Sequence, residues 1–143
     1  MSSAVFSVRN FQTRDAEAVT ALWLRVFPDD PPWNAPATII ARKRKVQPDL
    51  FFVGEVDGGV VGTVIAGFDG MRGWLYHLAV AAAFRRRGYA TQLVRAAEQA
   101  LGALGCTKVN LQVRAENSAV VAFYRHLGYA LEERVSMGRR LGP

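Results

Sequence analysis

Residues 84 to 94 read FRRRGYATQLV: Arg85, Arg86 and Arg87 run into Gly88, and a helical pattern follows. Arginine is costly to bury and glycine is costly inside a helix, so together they suit a turn that opens one. A helix start presents unpaired amides and partial positive charge. Gly88 lets the backbone approach a ligand closely, and the small Ala90 avoids a clash two residues on. Guanidinium groups beside such amides add full charge and paired donors, which is the chemistry of a pyrophosphate cradle. The plain alternative is a solvated turn that contains a glycine. Neither G-x-G-x-x-G nor G-x-x-x-x-G-K-[ST] occurs in the chain, so the two common glycine-rich nucleotide signatures are absent.

Other reactive side chains are few. Cys106 is the one cysteine, which excludes an internal disulfide and a cysteine-based zinc site. No metal site is expected. Cys106 reads as a packed small residue rather than a nucleophile. His77 lies in the apolar run WLYHLAV, where alternation turns it away from the face of Trp74 and Tyr76. It reads as a buried, helix-facing histidine.

The elements that must position these groups follow from periodicity. Residues 5 to 12 alternate as a strand, and Thr13 opens a helix through Phe27 with Asp15 and Glu17 in its first turn. PDDPPWNAP breaks the pattern, and Pro36 begins a second helix to about Val46. LFFVGEVDGGVVGTVIAGF is a hairpin turning at Asp57 to Gly59, followed by a strand at 74 to 80. After the arginine turn, Leu93, Val94, Ala97, Leu101 and Leu104 mark an amphipathic helix that stops at Gly105. TKVNLQV (107 to 113) is a strand, Asn117 or Ser118 opens a helix closed by Gly128, and residues 129 to 140 offer two short strands. The order β-α-α-β-β-β-α-β-α-β-β describes an α/β (α+β) fold on one mixed sheet.

The 143 residues fit a single domain, 1–143, and half are hydrophobic, enough for a core rather than a disordered tail. The N-terminus lacks the apolar run of a signal peptide, and no window approaches a membrane span. A cytoplasmic protein is expected. A net charge of +6 draws anions: nucleic acid, acidic protein or a phosphorylated cofactor. The cluster Arg42 to Lys45 falls on the polar side of a helix, where solvation is explanation enough.

HLAVAAAFRRRGYATQLV resembles the acyl-CoA segment of the GNAT superfamily of N-acetyltransferases, whose Arg/Gln-x-x-Gly-x-Gly/Ala signature is matched by Arg85, Gly88 and Ala90. A second block, VRAENSAVVAFYRHLGY, resembles that superfamily's later motif of Asn, helix, Tyr and Leu-Gly-Tyr/Phe. PWN at 32 to 34 is similar to a branch of small bacterial members whose substrates are undefined. The resemblance covers nearly the whole chain. It implies a GNAT fold, a mostly antiparallel sheet with about four helices, and transfer of an acetyl group from acetyl-CoA to a primary amine by direct attack.

Residue by residue, the resemblance gives the amides of Arg86, Arg87, Gly88, Tyr89, Ala90 and Thr91 to the CoA pyrophosphate, with Arg85 to Arg87 supplying charge. The strand end Leu78, Ala79 and Val80 would bond the pantetheine arm like an added strand. A bulge there would part it from the following strand and open a slot for the thioester. Asn117 would bond pantetheine, or serve purely as a helix cap. Tyr124 matches the tyrosine that protonates the departing thiolate; the alternative is a core tyrosine. Phenol and thiol pKa values near 10 and 8.5 make that transfer reasonable.

Trp33, Asn34, Trp74 and Tyr76 would flank the acceptor cleft, although Trp33 also suits a turn anchor. Gln112 stands where members that acetylate ribosomal-protein N-termini carry a glutamate, a departure that weakens that substrate class. Glu116, Asp29 and Asp30 are open as bases, and none is assigned. An acyl-CoA-binding protein without catalysis is the alternative function. A nucleic-acid module is a distant third, since no base-stacking platform or binding motif is evident and no nucleic-acid partner is expected. A homodimer is common among members of the superfamily.

Overall fold

The computed structural model describes residues 5–142. Five strands form one sheet in the order β1-β2-β3-β4-β5: β1 (Phe6–Asn10), β2 (Phe51–Val56), β3 (Gly59–Phe68), β4 (Gly73–Val80) and β5 (Val109–Asn110). The first four are antiparallel neighbours and β5 joins β4 in parallel. The β2–β3 turn places Asp57 and Gly58 at φ 52° and 79°, the positive pair that a tight hairpin of the right twist requires.

Helices cover both faces. Val53 and Gly54 are adjacent on β2, so they point to opposite sides. Val53 lies in a core with Val19, Leu22 and Trp23 of α1 (Ala16–Val26), Ile40 of α2 (Pro36–Lys45), and Phe51, Ile65 and Ala79 of the sheet. On the Gly54 side lies α3 (Tyr89–Ala103), whose Leu93, Val94, Ala97 and Leu101 are fully buried. Full burial of a leucine or valine stabilises by roughly 1.5–3 kcal/mol, so this stripe holds α3 firmly. The helix sits low because glycines lie beneath it. A Cβ at Gly62 would stand 2.9 Å from Leu93 Cδ1, and one at Gly73 would stand 2.8 Å from Cys106 Sγ.

The start of α1 uses its acid differently from the expected dipole role. Asp15 is 5 % exposed, receives both terminal nitrogens of Arg9 at 2.8 Å, and accepts the Gln12 amide at 2.8 Å. The Arg9 guanidinium holds its carboxyl below the ordinary range despite burial. Lys43 departs from the solvated reading of its cluster: its Nζ donates to the Ala66 carbonyl, and burial lowers its pKa.

By internal contacts the chain divides into two compact units, Met1–Leu111 and Gln112–Pro143. The second contains α4 (Ser118–His126). Two strand expectations are corrected. The run at 107 to 113 forms a strand only at Val109–Asn110, paired with Gly73 and Trp74. Residues 129 to 140 form no strand among the described residues, and Leu131, Val135 and Met137 are exposed. Alternation marks a segment that can pair, but a ladder needs a second strand. Among the described residues no helix is long and apolar enough to cross a membrane.

Candidate functional site

β4 ends at Val80, a turn of 3-10 helix spans Ala82–Phe84, and α3 begins at Tyr89. Between them Arg86 and Gly88 both take left-handed backbone, at φ 63° and 79°. Gly88 is the cap residue of α3, and the first bond of the helix is Gln92 N–H to the Gly88 carbonyl at 3.1 Å. The amides of Tyr89, Ala90 and Thr91 therefore stand outside the helical ladder. A Cβ at Gly88 would meet no atom within 4 Å, so the space over the turn is open.

The three arginines are exposed but differ in how they are held. Arg85 Nε donates to the Val80 carbonyl at 3.2 Å, which ties the turn to the strand end. The Arg87 guanidinium lies 5.3 Å from the centre of the Phe84 ring. Arg86 occupies a conformation that costs an L-residue roughly 1–2 kcal/mol. The Tyr89 side chain turns inward, its ring stacked on Phe6 at 4.0 Å, so only its amide belongs to the turn. Ala90 and Thr91 are half-buried in the first turn of α3.

The strand leading into this turn is bulged. Thr63 pairs with Ala79 and Ile65 with Tyr76, so Val64 faces both His77 and Leu78. His77 has φ 51°. Its carbonyl accepts the Thr63 hydroxyl at 2.9 Å, and that hydroxyl accepts the Trp23 indole N–H at 2.8 Å. The His77 ring lies 4.6 Å from Trp23 and 5.5 Å from Phe27. It faces a helix as expected, but through the bulge rather than by alternation. Tyr76, paired with the core residue Ile65, shares that face. Burial lowers the His77 pKa, and Asp30 opposes the shift.

Ala81 N–H donates to the Val61 carbonyl at 2.8 Å, so the next pair, Gly62 with Val80, is of the type that does not exchange bonds. The amide and carbonyl of Val80 point away from β3, toward the edge where β5 has paired only Gly73 and Trp74. Arg85 fills the carbonyl, and the Val80 N–H is directed to that same edge. Ala79 is buried in the α1-side core and contributes backbone alone, while Leu78 is half-buried.

Trp33 and Asn34 stand on the 3-10 turn Pro32–Asn34 between α1 and α2, with Trp33 42 % exposed. Trp74 is half-buried; Tyr76 is 52 % exposed, and burial and Asp69 raise its pKa. The structure thus joins Leu78 to Thr91 as one continuous edge and turn; Trp74 and Tyr76 precede it on β4, and Trp33 and Asn34 stand on the turn between α1 and α2. An open cavity of about 390 Å³ between Phe11, Lys43, Pro48 and Phe51 includes none of these residues.

The second unit, Gln112–Pro143, holds the later motif. Asn117 caps α4, its Oδ1 accepting Val120 N–H at 3.3 Å, so the cap role is realised. Tyr124 is 7 % exposed, and burial raises its pKa well above the ordinary phenol value. Gly128 closes α4 at φ 101°, with Gly128 N–H to Arg125 O and Tyr129 N–H to Tyr124 O, both at 3.0 Å. The Tyr124 and Tyr129 rings, 5.4 Å apart, supply the apolar contact of that closing motif. Gln112 Nε2 donates to Ser136 Oγ at 2.6 Å.

Thr63 and Trp23 were missed from the sequence. The signal was one hydroxyl inside the apolar run VVGTVIAGF.

Comparison with known proteins points one way. A family model described as Acetyltransferase (GNAT) family matches residues 14–129. An acetyltransferase of Yersinia enterocolitica is 42% identical over 139 residues, 94% of each chain. One from Pectobacterium atrosepticum is 44% identical over 134 residues, again 94% of each. Among solved structures, the aminoglycoside N-acetyltransferase AAC(6')-Iy in complex with CoA superposes with a TM-score of 0.80 at 22% identity, covering 99% of this chain and 98% of that one.

Proposed function

The chain belongs to the GNAT acetyltransferase family, and from that premise we propose that it transfers an acetyl group from acetyl-CoA to a primary amine by direct attack. The observation that carries the cofactor placement is the turn between β4 and α3. Left-handed Arg86 and Gly88, three amides outside the helix ladder and open space above Gly88 suit a pyrophosphate. Arg85, Arg86 and Arg87 set positive charge around it. The outward Val80 N–H and the bulged edge at Leu78 suit a pantetheine arm laid along β4.

Acetyl-CoA supplies an activated acyl group as thioester. The amine nitrogen forms the new bond to the carbonyl carbon and releases one proton to solvent water, the carbon–sulfur bond breaks, and the departing thiolate takes up a proton. Tyr124 is our candidate donor: its phenol is protonated at neutral pH, and because burial makes it a weaker acid than a free phenol, the transfer requires the bound thiolate beside it and a proton returned from solvent. In this reading Asn117 combines its cap with an amide donor to the pantetheine, and Trp33, Asn34, Trp74, Tyr76 and Gln112 border the acceptor. The family model spans the boundary at 111/112, and we read the two units as one functional domain.

Calorimetric titration with acetyl-CoA tests the reading, with dephospho-CoA and ATP as controls. Micromolar, CoA-specific binding is expected, followed by thiol release with a panel of primary amines. No binding of acetyl-CoA overturns it.

A further inference from the structure

Thr63 is fully buried in the middle of β3 and reaches no edge of the sheet, yet it holds the one irregular peptide of β4. Its hydroxyl stands between the Trp23 indole N–H, 2.8 Å away, and the His77 carbonyl, 2.9 Å away. A hydroxyl has one proton to donate; with the indole supplying a donor, that proton goes to His77. Trp23 is itself fixed by packing in the α1-side core and by its contact with the Phe51 ring.

The carbonyl so held belongs to a residue in left-handed backbone, which is costly for any residue with a Cβ. The peptide is trans, so the N–H of Leu78 points opposite to the His77 carbonyl. Thr63 therefore draws the carbonyl toward β3 and the α1-side core, and so turns the Leu78 N–H away from both. At that height β5 no longer pairs with β4.

We propose that Thr63, backed by Trp23, is a positioning residue: it aims the Leu78 N–H at the thioester carbonyl of bound acetyl-CoA. This rests on the acetyl-CoA reading given above. A donor set in advance at that oxygen polarises the carbonyl and stabilises the charge that develops on amine attack.

The test compares wild type, Thr63→Val, which keeps the shape and removes the hydroxyl, and Thr63→Ser, which restores it. The probes are CoA, which lacks the carbonyl, and acetyl-CoA labelled with carbon-13 at the thioester carbonyl. Wild type and Thr63→Ser are expected to shift the infrared band of the bound carbonyl to lower frequency than free acetyl-CoA. In Thr63→Val the band should return to the free position. Acetyl-CoA affinity should drop about fivefold relative to CoA, the worth of one hydrogen bond.

Should Thr63→Val lose CoA binding outright, Thr63→Cys carries the same readouts with similar shape and a weaker donor, and an intermediate band is expected. A wild-type band and affinity ratio in Thr63→Val, or in Thr63→Cys where it replaces it, overturns the assignment. Failure of Thr63→Ser to restore the shift does so too. If wild type binds neither CoA nor acetyl-CoA, the cofactor reading itself falls.

Discussion

Gly88→Ala separates the cost of a strained backbone from the loss of a ligand site. Gly88 sits at φ 79° with no atom within 4 Å of where a methyl would stand, so the substitution meets conformational cost and no clash. Left-handed backbone costs an L-residue roughly 1–2 kcal/mol, and stiffening the unfolded chain returns about 0.4–1 kcal/mol, leaving a net loss of about 1 kcal/mol. An unfolding entropy of roughly 2.1 cal/mol/K per residue over 143 residues converts that to about 3 °C in Tm.

A matched control lies at the other end of α3. Gly105, at φ 90° and equally open, should lose about the same 3 °C when replaced by alanine. The two differ in place: the 15-residue helix puts them roughly 22 Å apart. In the proposed cradle the added methyl at 88 stands where the pyrophosphate approaches. Disturbing one charge-assisted bond, worth about 1.5–3 kcal/mol, weakens acetyl-CoA binding at least about tenfold. Thermal melts and calorimetry on both variants provide the comparison. Equal affinity for Gly88→Ala and wild type would refute the cradle, and an equal loss in Gly105→Ala would show that the effect is general destabilisation.

Tyr124→Phe should lower turnover roughly 100-fold, the scale of a lost general acid, with CoA affinity within twofold; steady-state thiol release checks the first part and calorimetry the second. Burial raises the Tyr124 pKa, so the folded chain holds that proton more tightly than the unfolded one. The associated stability is present below about pH 10 and lost above it, and Tyr124→Phe should show a shallower fall in Tm between pH 9.5 and 11. Asn117→Ala should cost about 1 kcal/mol in denaturant unfolding through its cap. Asn117→Asp keeps the cap but removes the amide donor, so any loss of CoA affinity in it belongs to the ligand. Asp15→Asn breaks the paired contact with Arg9 and should cost about 3 kcal/mol, the low end for a buried pair because Arg9 keeps some exposure. Because the Asp15 pKa is depressed, its contribution is present above about pH 4 and is lost as pH falls through the folded value. Wild type should therefore lose stability to acid more steeply than Asp15→Asn.

What was legible in the sequence was local. Pro36 at a helix start, Asp57-Gly58 at a hairpin and Gly105 and Gly128 past helix ends are each set by backbone chemistry within a few residues. The turn at 85 to 88 was legible for the same reason. Its internal arrangement was not: that Arg85 folds back on Val80 while Arg87 lies over Phe84 depends on the path of the preceding turn. His77 faces a helix as expected, but that it shares its face with Tyr76 was missed because alternation assumes an even pleat. The bulge that breaks it is stabilised by Thr63, fourteen residues earlier, and Trp23, forty residues earlier than Thr63. Similarly, the buried role of Asp15 needed Arg9 from a neighbouring strand, and the tail's alternation said nothing about a partner strand.

The glycines beneath α3 have a consequence for how such a protein can be altered. On the acetyl-CoA reading, the turn at 85 to 88 rides on α3 and the edge at Leu78 rides on the sheet, so the gap between them is gauged by how low the helix lies. At Gly62 a single methyl would press on Leu93 and on the Ala79 carbonyl, 3.0 Å away, and at Gly73 on Leu101 as well as Cys106. In a saturation scan both positions should score as intolerant as ligand contacts, although no ligand reaches them. Donor reach is then adjustable from underneath: Gly62→Ala with Leu93 kept would lift the helix and widen that gap, whereas adding Leu93→Val would take up the methyl and let the helix settle back, with every residue facing the donor unchanged.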